Sequence, residues 1–479
     1  MNNNQAILKI NNDYSFLMTD QTGIKHKIWD CLRFRERNYF HNRRYKMGMW
    51  DGYTEFFKLE TGKFLTGLLP EVLSALKHFN VSYEIQDERT KTSFLHAEIK
   101  EDFFNNALPP GYNPVTLHDY QVELVNKVIK HRRGVIFAPT SAGKTLIMLG
   151  ILRAILPNTP TLVLQNRVGL AEQNYSEITK WGVQNVGTLW GGNVNPNMIT
   201  VASVQSVSKI EKALSKIKVV IVDEIHDMMS ALPKAVYRRL KNCDIRVALS
   251  ATPFKFGEKD KVQKYYVKGF FGPVLEIKSA EGGVLTTKEL QNRGILSSSN
   301  CTFYPIDEPA IPYDIYLDAV TRGIAENFHF HKIVTKLAKQ QTGRTLILVD
   351  RIAHGDALHN LLPGSLWVQG KDDSKTRKGV IETLQKSKKN VIAIATQQIF
   401  NTGINVFIHN LINAAGGQAD HQIIQRMGRG LRTAEDKDGL NYYDFVFNIN
   451  PYLLEHSNKR IRILKEQGHT ITIKDKIDF

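Results

Sequence analysis

GVIFAPTSAGKTLIML, residues 134–149, decides how the rest of the chain is read. A short β-branched, apolar run, GVIFA, stops at a proline. A loop of small residues follows, and then KTLIMLGILRAIL, whose apolar spacing reads as a helix. Strand, tight loop and helix N-terminus in that order turn backbone N–H groups toward a bound anion. Gly143, Lys144 and Thr145 are the chemically demanding part. Gly143 lets the backbone approach phosphates with no Cβ in the way. Lys144 is placed to reach β- and γ-phosphates, and the Thr145 hydroxyl to ligate Mg²⁺. Thr140, Ser141 and Ala142 complete the cradle. Ala138 stands where such loops usually open with glycine. It ends the strand, farther from the phosphates, so a small side chain suffices there. The expectation is an ATP site.

About eighty residues on, KVVIVDEIHDMM (218–229) ends an apolar strand in adjacent acids, Asp223 and Glu224. The carboxyl ends of parallel strands form the ligand edge of an open α/β sheet. There Asp223 can hold Mg²⁺, directly or through water, and Glu224 can orient and deprotonate an attacking water. Two acids at a strand end are common on surfaces. After a phosphate loop they are the expected partners of a P-loop nucleotide hydrolase. His226 read alone is a packed or capping histidine. Beside this pair it is a link from the γ-phosphate site to a neighbouring domain.

Similar runs recur: TLVLQ, KVVIVD and RVALSA in the first half, TLILVD, VIAIAT and YDFVFNI in the second. Runs of this length read as buried strands of parallel sheets with crossover helices. Two series, separated by a mixed segment around 255–310, imply two doubly wound α/β domains. EDFFNNALPPGYNPV, residues 101–115, is a boundary by its prolines and glycine. The expected division is 1–112, a basic α+β domain; 113–280 and 281–450, the two doubly wound domains; and 451–479, a basic tail, helical to about Gly468.

The chain has 479 residues and a formal net charge of +16, a balance that favours a polyanionic partner. Cys31, Cys243 and Cys301 are odd in number and form no CxxC pair, so neither a disulfide framework nor a zinc site is expected. No signal pattern opens the sequence and no apolar run is long enough to span a bilayer. These features read as a soluble, cytoplasmic protein with no membrane partner.

With APTSAGKT, DEIH and SATP (250–253) in that order, the chain resembles the superfamily 2 helicases of the DExH type. The resemblance covers roughly residues 115–450 and implies two tandem RecA-like domains, ATP hydrolysis and nucleic-acid translocation. LHDYQVELV resembles the adenine-recognition element, with Gln121 reading the base and Tyr120 beside it. LVLQNRVGLAEQ implies strand contacts near Arg167 and Gln173, and ITVASVQSV near Ser203 and Gln205. Ser250 and Thr252 would couple the ATP site to the strand site. LILVDRIAHGDAL and IATQQIFNTGINV follow, the latter with Thr396 as a strand contact and Gly403 as a coupling residue. QRMGRGLR, residues 425–432, closes the series with Gln425, Arg429 and Arg432. Two arginines brought to a γ-phosphate stabilise transition-state charge. If they come from the second domain, hydrolysis requires the two domains to close. The likeness departs at Arg167, whose motif lacks the usual Pro-Thr. It departs again at Asn405, where relatives often hold aspartate, which leaves a charged nucleotide contact from that position without support.

NRRYKMGMWDGYTEFFKLETGKFLTGLLPEVLSALKHF, residues 42–79, is similar to the N-terminal domain of the phage UvsW-type helicases. That narrower resemblance implies a DNA motor in the bacterial host cytoplasm. It would regress forks, migrate Holliday junctions and unwind D-loops or R-loops in phage replication, recombination and repair, with a single-strand-binding protein as a possible partner. The residues themselves fit a nucleic-acid contact. Arg43, Arg44 and Lys46 can pair with phosphates, while Tyr39, Phe40 and Tyr45 can stack on bases. Trp50 and Phe56 read as core. A solvated basic face remains the rival reading of the cations. An RNA helicase, or a non-motor protein for which nucleotide is a switch, stays open beside the DNA motor. A restriction-enzyme motor subunit would need a metal-nuclease cluster, and none is convincing.

Overall fold

The apolar runs of the first half become the strands Arg133–Phe137, Thr161–Gln165, Ile199–Ser203, Val219–Asp223 and Ile245–Ser250. Their side chains are buried on both faces, which is why the sequence shows unbroken apolar runs instead of alternation. The computed structural model describes residues 6–105, 114–251, 260–278, 283–312, 315–387, 390–397, 407–417 and 439–479. Two compact units divide the chain: Met1–Ala138 with Gly143–Ile277, and Lys278–Phe479 with Pro139–Ala142.

In the first unit an eight-stranded sheet runs in the order 193–195, 186–190, 199–203, 161–165, 219–223, 245–250, 133–137, 274–275. It is parallel except at the Asn193–Asn195 edge. The order departs from chain order in a useful way. Ile245–Ser250 pairs with Val219–Asp223 on one side and Arg133–Phe137 on the other, with Asp223 opposite Leu249 and Ser250 opposite Phe137. The strand ends that carry the carboxylates, the SATP motif and the phosphate loop are therefore adjacent.

The N-terminal module folds into this same unit. Its four-stranded sheet, order 63–65, 14–18, 6–10, 83–87, is antiparallel except for the parallel pair Ala6–Ile10 and Tyr83–Asp87. Helices Thr22–Cys31 and Leu69–His78 supply Ile28, Val72 and Leu76 to a core shared with Leu8, Leu17 and Phe64. Each such fully buried side chain contributes about 2 kcal/mol. The core does not stop at the module. Tyr265 and Tyr266, on the helix Lys261–Phe271, lie 4.3 Å from the Phe34 ring and 4.8 Å from the Phe56 ring. Lys268 pairs with Glu71 at 2.8 Å. Gly67 allows this approach, because a Cβ there would fall 2.1 Å from the Lys268 carbonyl oxygen. Buried Phe56 is core, as its sequence context implies, and half-buried Trp50 donates from Nε1 to the Tyr53 carbonyl at 2.7 Å.

The second unit holds a seven-stranded sheet, parallel throughout, in the order 366–368, 391–396, 344–349, 410–413, 439–447, 298–306, 470–473. Ile347, Ile394, Ile412, Phe445 and Phe447 pack beneath Phe330 and Val334 of the helix Phe328–Gln340. The segment after Pro451 is no free tail. Helix Pro451–Glu466 is capped by the Asn450 side chain, which accepts from Tyr452 N, and it buries Arg460. Arg460 donates to both Asp444 oxygens at 2.9 Å, and Asp444 also accepts from Tyr442 and Asn413. Thr470–Ile473 then joins the sheet beside Ser298–Ile306. The architecture is the α/β class expected: two tandem RecA-like parallel sheets and a small α+β module.

Candidate active site

Ala138 is 1% exposed, and its N–H donates to the Ser250 carbonyl at 3.3 Å. It continues the pairing one residue past Phe137, packed against the neighbouring strand end. The loop then turns sharply. Ala142 N–H donates to the Pro139 carbonyl at 3.1 Å, and Ser141 and Gly143 take φ of 66° and 77°. Left-handed backbone at a serine is strained, and such strain gathers where a loop must present its amides. Gly143 is the N-cap of helix Lys144–Ala154, and no side chain caps that helix. Its first N–H groups are thus free of a side-chain acceptor, the arrangement that receives an anion. A Cβ at Gly143 would fall 2.2 Å from Gln121 Nε2.

Gln121 is buried beside that glycine, and its Oε1 accepts from His118 N–H at 3.0 Å. Tyr120, expected beside the base, is 1% exposed and lies in the core next to Gln121. The ring exposed at this element is His118, parallel to Tyr120 with centroids 5.5 Å apart. Sequence reasoning passed over His118 because it sits at a helix N-cap, where a structural role is the ordinary one.

Asp223 ends its strand partly buried. Burial, then the charge of Glu224, push its carboxyl up to about 6, while Lys144 pulls it down. Lys144 and the acid thus feel each other across the site. Thr145, one residue on, is exposed at the helix start. A hydroxyl and a carboxylate are hard oxygen donors of the kind Mg²⁺ accepts. Glu224 takes φ of 51°, left-handed for a non-glycine residue. Its N–H donates to Asp223 Oδ1 at 3.0 Å. The strain turns the chain out of the strand at the residue read as general base. Asn174, buried on the helix Val168–Lys180, lowers the Asp223 pKa and so acts in the opposite sense to Glu224. No motif spacing pointed to it.

His226 is buried, and its Nδ1 lies 3.0 Å from Ser250 Oγ and 3.4 Å from Glu224 Oε2. Ser250 is fully buried, its hydroxyl 3.5 Å from the same carboxylate oxygen. Three residues from two adjacent strand ends meet at one point.

Among the residues read as strand contacts, Arg167 and Gln205 are exposed, and Gln205 Nε2 donates to the carbonyl of Asn166, the residue before Arg167, at 3.0 Å. Gln173 is half-buried. Ser203 is 1% exposed, its hydroxyl 3.1 Å from Ser206 Oγ, so its side chain faces inward. Thr396, in the second unit, is 5% exposed at a strand end and likewise presents no side chain to the surface. Thr252, Gly403, Gln425, Arg429 and Arg432 lie outside the described residues.

Arg43, Arg44 and Lys46 are exposed on the short helix Arg43–Lys46, which Asn42 caps by accepting from Arg44 N–H at 2.9 Å. Tyr39 packs edge-on against Tyr45 at 4.6 Å and holds the turn together. Phe40, Met47 and Met49 stand around it 50%, 57% and 64% exposed. The result is a small basic spur with apolar tips. The two methionines carried no signal in the sequence.

Among the described residues no helix is long and apolar enough to cross a membrane. The family described as type III restriction enzyme, res subunit, matches residues 114–255, the stretch from the glutamine element to the SATP motif. The ATP-dependent DNA helicase uvsW of Enterobacteria phage T4 is 24% identical over 506 aligned residues, covering 96% of this chain and 98% of that protein. The DNA 3'-5' translocase XPB2 of Sulfurisphaera tokodaii is 23% identical, covering 75% and 88%. Among solved structures, a fragment of a putative HsdR subunit of a type I restriction enzyme from Vibrio vulnificus shares the fold at a TM-score of 0.56. It is 18% identical and covers 79% of this chain and 71% of that one.

Proposed function

We propose that this chain, a superfamily 2 helicase by its ordered motifs and its likeness to the phage T4 protein along nearly its full length, is a DNA motor that remodels branched DNA. It is of the ATP-dependent DNA helicase and translocase class, and ATP is its fuel. The proposal extends that class to fork regression, Holliday junction migration and D-loop or R-loop unwinding, in phage replication, recombination and repair within the host cytoplasm. One observation carries the reading most. The phosphate-loop strand, Ser250 and the Asp223–Glu224 pair end side by side, with His226 bridging the last two.

In this mechanism the uncapped N–H groups at Lys144 and Thr145 receive the phosphates, and the Lys144 ammonium neutralises their charge. Glu224 orients the attacking water and takes its proton. Thr145 and Asp223 would hold Mg²⁺, which supplies charge stabilisation to the phosphates when bound. Gln121, Thr140, Ser141, Ala142 and Gln425 shape the nucleotide site. Arg429 and Arg432 supply the finger charge, and closure of the two domains brings them in. Ser250, Thr252 and Gly403 pass the change to the strand surface, where Arg167, Gln173 and Gln205 hold DNA. Arg43, Arg44 and Lys46 hold the branch, by phosphate pairing that the net charge of +16 reinforces. A single-strand-binding protein is a natural neighbour on the product strands.

ATPase and strand-separation assays on fork, D-loop and four-way DNA, with matched single-stranded, duplex and RNA controls, test the reading. Branched DNA is expected to stimulate turnover most. No stimulation by any DNA would overturn the motor, and stimulation by RNA alone would move the substrate to RNA.

A further inference from the structure

A cavity of about 600 Å³ lies inside the first unit, between the N-terminal module and the turn that follows the carboxylate pair. Glu36 and Asn38 line it from the module, immediately ahead of the basic spur. His226, Asp227, Lys234 and Tyr266 line it from the larger sheet's side. It is an open cleft, and it is lined by charged side chains from both elements.

Both sides connect to something that matters. His226 touches Ser250 and Glu224 at 3.0 and 3.4 Å. Lys234 Nζ sits 4.1 Å over the Tyr266 ring, and that ring lies 4.8 Å from Phe56 of the module. Glu36 accepts from the Thr54 hydroxyl, which fixes it to the short ladder Arg33–Arg35 with Tyr53–Glu55. Burial and Arg238 hold Lys234 below the usual lysine value, while Glu36 acts in the opposite sense. Opposite charges, Glu36 and Lys234, therefore line the same space from its two sides, and the Glu36 carboxylate favours the charged form of Lys234.

We propose that Glu36 and Lys234 are positioning residues for the ATP site: DNA seated on the spur draws the Glu36–Asn38 strap toward Lys234 and the Asp227 turn, and thereby sets His226, Ser250 and Glu224 for hydrolysis. This rests on the reading of the chain as a DNA-stimulated ATPase. The effect is on kcat and so carries no reciprocal requirement on DNA affinity, because linkage constrains only binding free energies.

The test measures steady-state ATP hydrolysis by the full chain, with and without forked DNA. The variants are Glu36→Gln, Lys234→Met, which keeps the stem over Tyr266, and the swapped pair Glu36→Lys with Lys234→Glu. Thermal unfolding of each variant verifies folding. Basal kcat and the KM for ATP should match the parent, while the DNA-stimulated kcat falls about fivefold in each single variant. The swapped pair should recover most of the stimulation, which a merely structural role would not predict. Singles stimulated as fully as the parent would overturn the proposal, as would a parallel loss of basal and stimulated turnover. A parent not stimulated by any DNA would instead overturn the motor reading on which it rests.

Discussion

His226 Nδ1 lies 3.0 Å from Ser250 Oγ and 3.4 Å from Glu224 Oε2, so one buried imidazole ties the residue read as general base to the end of the neighbouring strand. Removing the Ser250 hydroxyl breaks that tie without touching the phosphate loop. Ser250→Ala should keep ATP hydrolysis within about threefold of the parent and cut strand separation about tenfold, the span of ordinary coupling energies. Parallel ATPase and unwinding rates check this, and an equal loss in both would place Ser250 in hydrolysis itself.

Glu224→Gln keeps the shape of the side chain and removes its basicity. Turnover should fall about 10²- to 10⁴-fold, the usual contribution of a positioned base, with ATP still bound. Lys144→Ala should abolish turnover as well by weakening phosphate binding. Fluorescence anisotropy with labelled DNA should show binding intact in both, and its loss in both would mark the two residues as structural.

Arg43, Arg44 and Lys46 are exposed and sit on a helix of four residues capped by Asn42. Replacing all three by alanine should weaken DNA binding and reduce the slope of log K against log salt by up to about 3. Affinity measured across a salt series checks this. A slope equal to the parent's would make the three cations a solvated face.

His354 lies in the core of the second unit, stacked on His331 at 4.7 Å. Burial, then the His331 charge, lower its pKa from 6.5 to about 3. The unfolded chain therefore binds a proton here that the folded chain refuses. Stability from this group is complete above pH 6.5 and drains as pH falls toward 3. At pH 5 the loss is about 2 kcal/mol. Denaturant midpoints at pH 7.5 and 5 should show it, and His354→Phe should reduce the difference. A variant as acid-sensitive as the parent would assign the loss to other groups.

Much of this was legible in the sequence because parallel strands buried on both faces leave short, β-branched apolar runs bounded by turn residues. The strand residues of TLVLQ and KVVIVD are the clearest cases. Legibility failed where a residue's direction mattered. Ser203 and Tyr120 belong to matching motifs, yet both face inward, because motif position does not encode which way a side chain turns at a strand end or a first helical turn. The strained φ at Ser141 and Glu224 left no trace either, since neither residue is a glycine. Asn174 and Lys234 reach their neighbours through packing between elements far apart in sequence, a relation that no local pattern records.

The strand Ser298–Ile306 is held between Gly439–Phe447 and Thr470–Ile473, both more than 130 residues downstream. During synthesis it must therefore wait, its backbone donors and acceptors unmated, until the chain has grown through residue 447 on one side and residue 473 on the other. A ribosome that stops early releases an unsealed β-edge of nine residues, the kind of template on which nascent chains stick to one another.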